Sequence, residues 1–179
     1  MNNRKVYISG EIVPEVDAKI SIFDSAVLLG DTVTESTRTF NFKPFKLDEH
    51  LERLYKSFKL TRIDPQMTIE EMKKVSLELL EINKDNYKAN EDCWLVHNIS
   101  RGHSITGGNP ALQVSKPTVM IYTQPMNLVS WAPFYSKGCH AVTPPTRMVP
   151  SQSLDARIKN RSRLFYTLAE IEAKLVDPD

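Results

Sequence analysis

The sequence predicts an α+β fold, a mainly antiparallel sheet with two packed helices that leads into a second domain near Pro144-Pro145. Three observations predict it. Runs dense in β-branched and apolar residues recur at 6–13, 19–23, 32–40, 93–100, 118–123 and 138–143. Only two stretches before the proline pair, near 47–60 and 68–82, carry an apolar stripe at helical spacing. Strands bracket these helices instead of alternating with them, so a parallel βαβ series is not expected.

The 179 residues suffice for one domain with a real core, or for a small domain plus part of another. Hydrophobic residues make up 41% and charged residues 25%, ordinary values for a soluble globular chain. A formal net charge of +1 gives no global field that would draw nucleic acid or a membrane surface. No apolar run approaches about 18 residues, and Met1-Asn2-Asn3-Arg4-Lys5 leads into a strand pattern without a signal-peptide core. Cys93 and Cys139 both lie in apolar strand-like runs and read as reduced core thiols of a cytoplasmic protein.

In chain order, residues 6–13 read as a strand, a tight turn at Gly10 and a return strand. Residues 19–23 read as a third strand piece before a turn at Asp24-Ser25. Residues 32–40 are β-branched without a helical stripe, a strand closed by the turn Asn41-Phe42-Lys43-Pro44. Taken alone, Glu35 and Arg38 read as surface charges on that strand. The first helix buries Leu51, Leu54, Tyr55 and Phe58, with Asp48 as its N-cap; His50 and Arg53, three apart, flank the stripe. Thr68 and Glu71 form a capping box that opens the second helix, on Ile69, Met72, Val75, Leu79 and Ile82. Arg101-Gly102 ends the strand at 93–100. Residues 104–115, with Gly107-Gly108-Asn109-Pro110, read as a mobile loop that lacks the strand–helix context of a dinucleotide loop. Strands follow at 118–123 and 138–143.

The stretch 149–174 organises the chemistry. Leu164, Phe165, Leu168, Ile171 and Leu175 mark an apolar helix face. Lys159 stands just before it, with Arg157, Arg161 and Arg163 within four residues. Nearby like charges disfavour a protonated lysine, and a neutral lysine is a nucleophile that forms a Schiff base with an aldehyde. A solvated basic turn is the plainer reading of these residues alone. Cations gathered at a helix N-terminus oppose the helix dipole, however, an arrangement that an anion would relieve.

The run Lys159-Asn160-Arg161-Ser162-Arg163-Leu164, ending Ala169-Glu170-Ile171-Glu172-Ala173, resembles the lysine segment of the class IV aminotransferases, the pyridoxal-phosphate (PLP) enzymes of fold type IV. That family reads lysine, asparagine or a small residue, a short aromatic or apolar run, then a helix. Further matches are Ala18-Lys19-Ile20-Ser21-Ile22-Phe23-Asp24, the Gly30-Asp31…Glu35…Arg38 spacing, His50-Leu51-Glu52-Arg53-Leu54 and Ser100-Arg101-Gly102. The resemblance implies that Lys159 holds PLP as an internal aldimine and shuttles the proton between substrate α-carbon and cofactor. It also implies that Arg53 grips the cofactor phosphate, a task suited to a planar, permanently charged guanidinium. Arg101, Arg38 and Thr34 are implied in substrate binding, and His50 is given a structural role.

On this resemblance residues 1–143 form the small N-terminal domain of fold type IV. Residues 144–179 form the interdomain segment and the start of the PLP-binding domain, whose remainder is absent. Family members continue past the lysine helix, so a piece of a longer chain, or a partner chain, is expected. The expected reaction moves an amino group between an amino acid, or an amine, and a 2-keto acid, without a metal, in a homodimer. Leu29 and Thr34 replace aromatics common in the family, which implies a wider or more polar side-chain pocket. Arg38 is kept, unlike in many (R)-selective amine transaminases, so a branched-chain-like enzyme is the favoured substrate class. D-amino-acid transaminase and (R)-amine transaminase stay open. So do an aminodeoxychorismate lyase-like PLP enzyme and a truncated, non-catalytic α+β module.

Overall fold

The computed structural model describes residues 3–88, 91–103 and 116–177. These fall into two compact units, Met1–Met126 with Arg157–Arg161, and Asn127–Ala156 with Ser162–Asp179. The loop expected at 104–115 lies outside the described residues.

The first unit is an antiparallel sheet carrying two helices. β1 (Lys5–Ile8) and β2 (Glu11–Pro14) form a hairpin across Ser9 and Gly10, both at positive φ. The sharp reversal suits glycine. A short helix, α1 (Ser25–Leu28), precedes β3 (Thr32–Phe40), which turns through Asn41-Phe42 into β4 (Lys43–Pro44). Two helices follow, α2 (Leu47–Thr61) and α3 (Ile69–Asn83), then β5 (Cys93–Ser100) and β6 (Thr118–Pro125). The strand order is β2-β1-β6-β5-β3-β4, and every pair is antiparallel. The α+β expectation holds. The period of two sends Val33, Leu95, Ile99, Val119 and Ile121 to the helix-covered face. Leu51, Leu54, Phe58, Met72 and Leu79 pack onto them, the stripes the helical spacing called for.

Several expectations fail for physical reasons. Residues 19–23 are not a strand: Ser21 Oγ accepts from the Phe23 N–H and its carbonyl from the Asp24 N–H, closing a local turn instead. Asp24 then caps α1, and its carboxylate also accepts from the Ser100 and Thr118 hydroxyls. The N-cap of α2 is Lys46 in a left-handed conformation, not Asp48, which sits in the first turn and pairs with Lys73 at 2.7 Å. The Thr68–Glu71 capping box is present. Ile82 of the predicted stripe is exposed.

In the second unit, α4 (Leu128–Trp131) and α5 (Phe134–Lys137) are short helices with no sequence forecast. Residues 138–143 form no strand, since no partner strand is present among the described residues. Cys139 is exposed there, whereas Cys93 is buried. α6 (Leu164–Val176) is the predicted helix, but its apolar face is uncovered: Leu164 is 70% and Leu175 81% exposed. No described helix is long and apolar enough to cross a membrane.

Candidate active site

β3 builds the site with its alternating side chains. Glu35 points to the helix-covered face and is fully buried, so it is not the surface charge read from sequence. It accepts from Arg53 twice, Nε at 2.7 Å and Nη2 at 2.6 Å, a paired geometry. His50 Nδ1 lies 3.1 Å away, and the Ser36 N–H donates at 2.9 Å. Burial pushes the Glu35 carboxyl up, but the Arg53 guanidinium, the Ser36 N–H and His50 outweigh it, and the group stays ionised below its ordinary range. The Arg53 guanidinium is held above its usual value, chiefly by its bonds to Glu35. It keeps about half its surface in solvent, and nothing among the described residues accepts from Nη1.

His97 faces Glu35 across the β3–β5 pair. It is fully buried, its Nε2 lies 2.8 Å from Ser76 Oγ, and its Nδ1 has no partner among the described residues. Burial drives its pKa down to about 4, against the attraction of Glu35. The imidazole is therefore neutral at pH 7.

Lys159 reaches this site as part of an added edge segment. Its carbonyl accepts from the Thr34 N–H at 2.9 Å, Asn160 bridges Val33, and the Arg161 N–H donates to the Thr32 carbonyl at 3.0 Å. Alternation puts Lys159 and Arg161 on Thr34's side of the sheet, away from the helices. The Lys159 N–H donates to Ser57 Oγ at 3.3 Å, and that hydroxyl donates to the Arg53 carbonyl at 3.2 Å. One buried serine of α2 thus links the backbones of the two residues singled out in the sequence.

Of the other candidates, Thr34 lies beside the Lys159 segment, whereas Arg38 and Arg101 make contacts of their own. Thr34 is fully buried and donates to the His97 carbonyl at 2.9 Å. Arg38 stacks its guanidinium 3.8 Å from the Phe40 ring centroid and is partly exposed. Arg101 binds Asp31 through Nε at 2.7 Å and caps α2 through the carbonyls of Arg62 (2.9 Å) and Thr61 (3.0 Å). These contacts engage Nε, Nη1 and Nη2 on Asp31 and the end of α2.

A family model described as amino-transferase class IV matches residues 32–179. The chain belongs to the class IV amino-transferases. A Methanocaldococcus jannaschii protein, assigned by name to the branched-chain-amino-acid aminotransferases, is 35% identical over 98% of this chain and 57% of its own length. A Staphylococcus epidermidis D-alanine aminotransferase is 32% identical over 67% of this chain and 41% of its own length. The chain thus spans little more than half of the archaeal relative and less of the bacterial one. A branched-chain amino acid aminotransferase from T.th., solved with pyridoxamine 5'-phosphate, superposes with a TM-score of 0.82 at 23% identity, over 97% of this chain and 56% of that one. That likeness shows the fold.

Three site residues of this class IV amino-transferase escape a reading of the sequence. Glu35 is legible as a motif position but not as a buried anchor. Ser57 stands one turn after Arg53 in a stripe of Leu54 and Phe58, a small polar residue where an apolar one packs. His97 stands in an otherwise apolar strand. Such buried polar residues are the available signal, because each needs a partner.

Proposed function

We propose that the full-length protein carrying this chain is a PLP-dependent transaminase, moving an amino group between an amino acid and a 2-keto acid. The observation that carries the reading is the Ser57 link between the Lys159 and Arg53 backbones, with Arg53 anchored on buried Glu35. The residues fit the cofactor: a primary amine for its aldehyde, and a guanidinium with unspent donors for its phosphate. When bound, PLP supplies an electron sink for the substrate α-carbon. Lys159 Nζ would hold the cofactor and would then carry a proton from the substrate α-carbon to the cofactor, the net shift that transamination needs. Arg53 would hold the phosphate through its remaining donors while Glu35 fixes the guanidinium. The names of the relatives support an amino-acid donor of branched-chain or D-amino-acid type. We extend the reading to a cytoplasmic homodimer, with Arg101, Arg38 and Thr34 toward the substrate and residues 144–179 opening the cofactor-binding domain.

The test uses full-length protein. Borohydride treatment of the PLP-loaded wild type is expected to leave the cofactor covalently on Lys159, read by mass spectrometry. Lys159→Ala should abolish turnover at any PLP concentration. Arg53→Ala should weaken PLP by roughly ten- to a hundredfold, the worth of one hydrogen bond to a charged group. Excess PLP should then restore its activity. Turnover in the Lys159 variant, or no rescue of the Arg53 variant, sinks the assignment.

A further inference from the structure

The Glu35 carboxylate gathers more donors than the Arg53 guanidinium supplies. Oε2 accepts from Arg53 Nε at 2.7 Å. Oε1 is crowded: Arg53 Nη2 stands at 2.6 Å, the Ser36 N–H at 2.9 Å and His50 Nδ1 at 3.1 Å. Ser36 acts through its backbone, which β3 fixes. His50 is a side-chain donor brought by α2, three residues before Arg53 and on the same side of the helix. The first turn sets its place, where the His50 N–H donates to the Lys46 carbonyl at 3.1 Å. Its side chain is 24% exposed, and the Glu35 side chain it reaches has no exposure.

The contacts decide the tautomer. A bare Nδ1 would set its lone pair against a carboxylate lone pair at 3.1 Å. In return it would gain Arg53 Nη2 at 3.4 Å, beyond the usual range of an N–H bond. Nδ1 therefore carries the proton and donates to Oε1, an assignment made from the hydrogen-bond network. The second Nη2 proton is then not spent on the imidazole. In a planar guanidinium it lies on the Nη1 side, so the outer edge of Arg53 offers it together with the two protons of Nη1.

Two effects follow for an anion at that edge. Glu35 and the anion compete for one guanidinium charge. A further donor on Oε1 takes up part of the carboxylate charge and leaves more of Arg53 for the anion. The imidazole also stands 3.4 Å from Nη2, and this contact narrows the positions open to a half-exposed side chain.

We propose that His50 is a positioning residue of the phosphate site: its Nδ1–H holds Glu35 Oε1 and so turns the outer edge of the Arg53 guanidinium to the cofactor phosphate. The proposal rests on the transaminase reading. His50 acts through Glu35 and Arg53, not on the phosphate or the reacting atoms.

Absorbance titration of full-length protein, stripped of cofactor, with PLP and with pyridoxal tests it. Pyridoxal keeps the aldehyde and the ring and lacks the phosphate. Wild type should bind PLP at least about tenfold more tightly. His50→Ala should lower PLP affinity by roughly tenfold, the lower end for one hydrogen bond to a charged group, and leave pyridoxal within about twofold. A ring that serves packing alone would weaken both aldehydes alike, or neither. His50→Asn keeps an N–H on the atom bonded to Cγ, where Nδ1 stands, and should bring PLP affinity back to within about threefold of wild type. His50→Gln moves its N–H one bond outward and should resemble the alanine variant. No preference for PLP in wild type, equal loss of both aldehydes, or a glutamine variant that outbinds the asparagine one overturns the positioning role. Borohydride trapping on the same preparations separates the two readings. Cofactor trapped on Lys159 without a His50 effect removes the positioning role alone. A His50-dependent preference for PLP without cofactor on Lys159 removes the transaminase and leaves the phosphate site.

Discussion

Two acid–arginine pairs tie α2 to the β3 region, and they are built in opposite ways. In the Glu35–Arg53 pair the carboxylate has no exposure while the guanidinium side chain is 52% exposed. In the Asp31–Arg101 pair the two side chains are 25% and 23% exposed. Arg53 spends Nε and Nη2 on its acid and keeps Nη1. Arg101 spends Nε and Nη2 on Asp31, and Nη1 and Nη2 on the last carbonyls of α2. Both arginines stand in family-like motifs, so the motif does not separate them. The count of unspent donors does: one fork is open to an anion, the other is closed on the helix end.

Breaking the open pair should have the largest effect. Arg53→Met strands a buried carboxylate, and losing one partner of a buried pair costs about 3–5 kcal/mol. Because Arg53 is half-exposed, water will hydrate Glu35 in part, and we expect about 2–4 kcal/mol by urea denaturation. Adding Glu35→Gln should return at least half of that. A double-mutant cycle without coupling would mean the pair is not an anchor.

Acid attacks the same neighbourhood. The folded-state pKa of His97, about 4, lies below the ordinary histidine value. The unfolded chain therefore binds a proton first as pH falls, so this contribution is whole above about pH 6.5 and lost progressively toward pH 4. It amounts to about 3 kcal/mol. Glu35, with its lowered pKa, adds stability that is present above the unfolded carboxylate range and fades only below it. Unfolding followed from pH 7 to 4 should show this slope, and His97→Gln should flatten it. An unchanged slope would assign the acid lability elsewhere.

Opening the closed pair should cost less. Arg101→Ala removes two helix-end bonds and a partly exposed ion pair, about 1–2 kcal/mol. Cofactor affinity should stay within about twofold. A tenfold loss would move Arg101 into the binding site and erase the contrast. Ser57→Ala is the mildest change, about 1 kcal/mol of stability. Its distinguishing readout is slower borohydride capture of PLP on Lys159, because the segment loses its tie to α2; an unchanged rate would make Ser57 a packing residue only.

Much of the fold was legible because periodicity reports burial directly. The stripes of α2 and α3 and the β-branched run of β3 needed no tertiary information. Residues 19–23 and 138–143 misled because an extended, apolar stretch becomes a strand only when a neighbour completes its hydrogen bonds. α6 marks the same boundary: its stripe shows that a face seeks cover, while the cover itself lies outside the pattern. At the candidate site, Lys159 and Arg53 stood out through charge and motif. Glu35 did not, since a carboxylate in a strand reads as surface until a guanidinium and an imidazole are seen to close over it. Ser57 was invisible, its role set by a segment about 100 positions away.

The edge segment that carries Lys159 also has a kinetic meaning. It joins β3 about 125 residues downstream of Thr34, among the most distant pairings in the chain. Closing so long a loop adds little to the equilibrium cost, since each doubling of length adds only about 0.6 kcal/mol. It weighs on the order of events, because remote contacts form after local ones have fixed their docking surface. β3 and Ser57 must be in place before Lys159 has anywhere to bind. During synthesis the Lys159 segment therefore emerges and docks after both, so its edge of β3 stays open until the last part of the chain arrives.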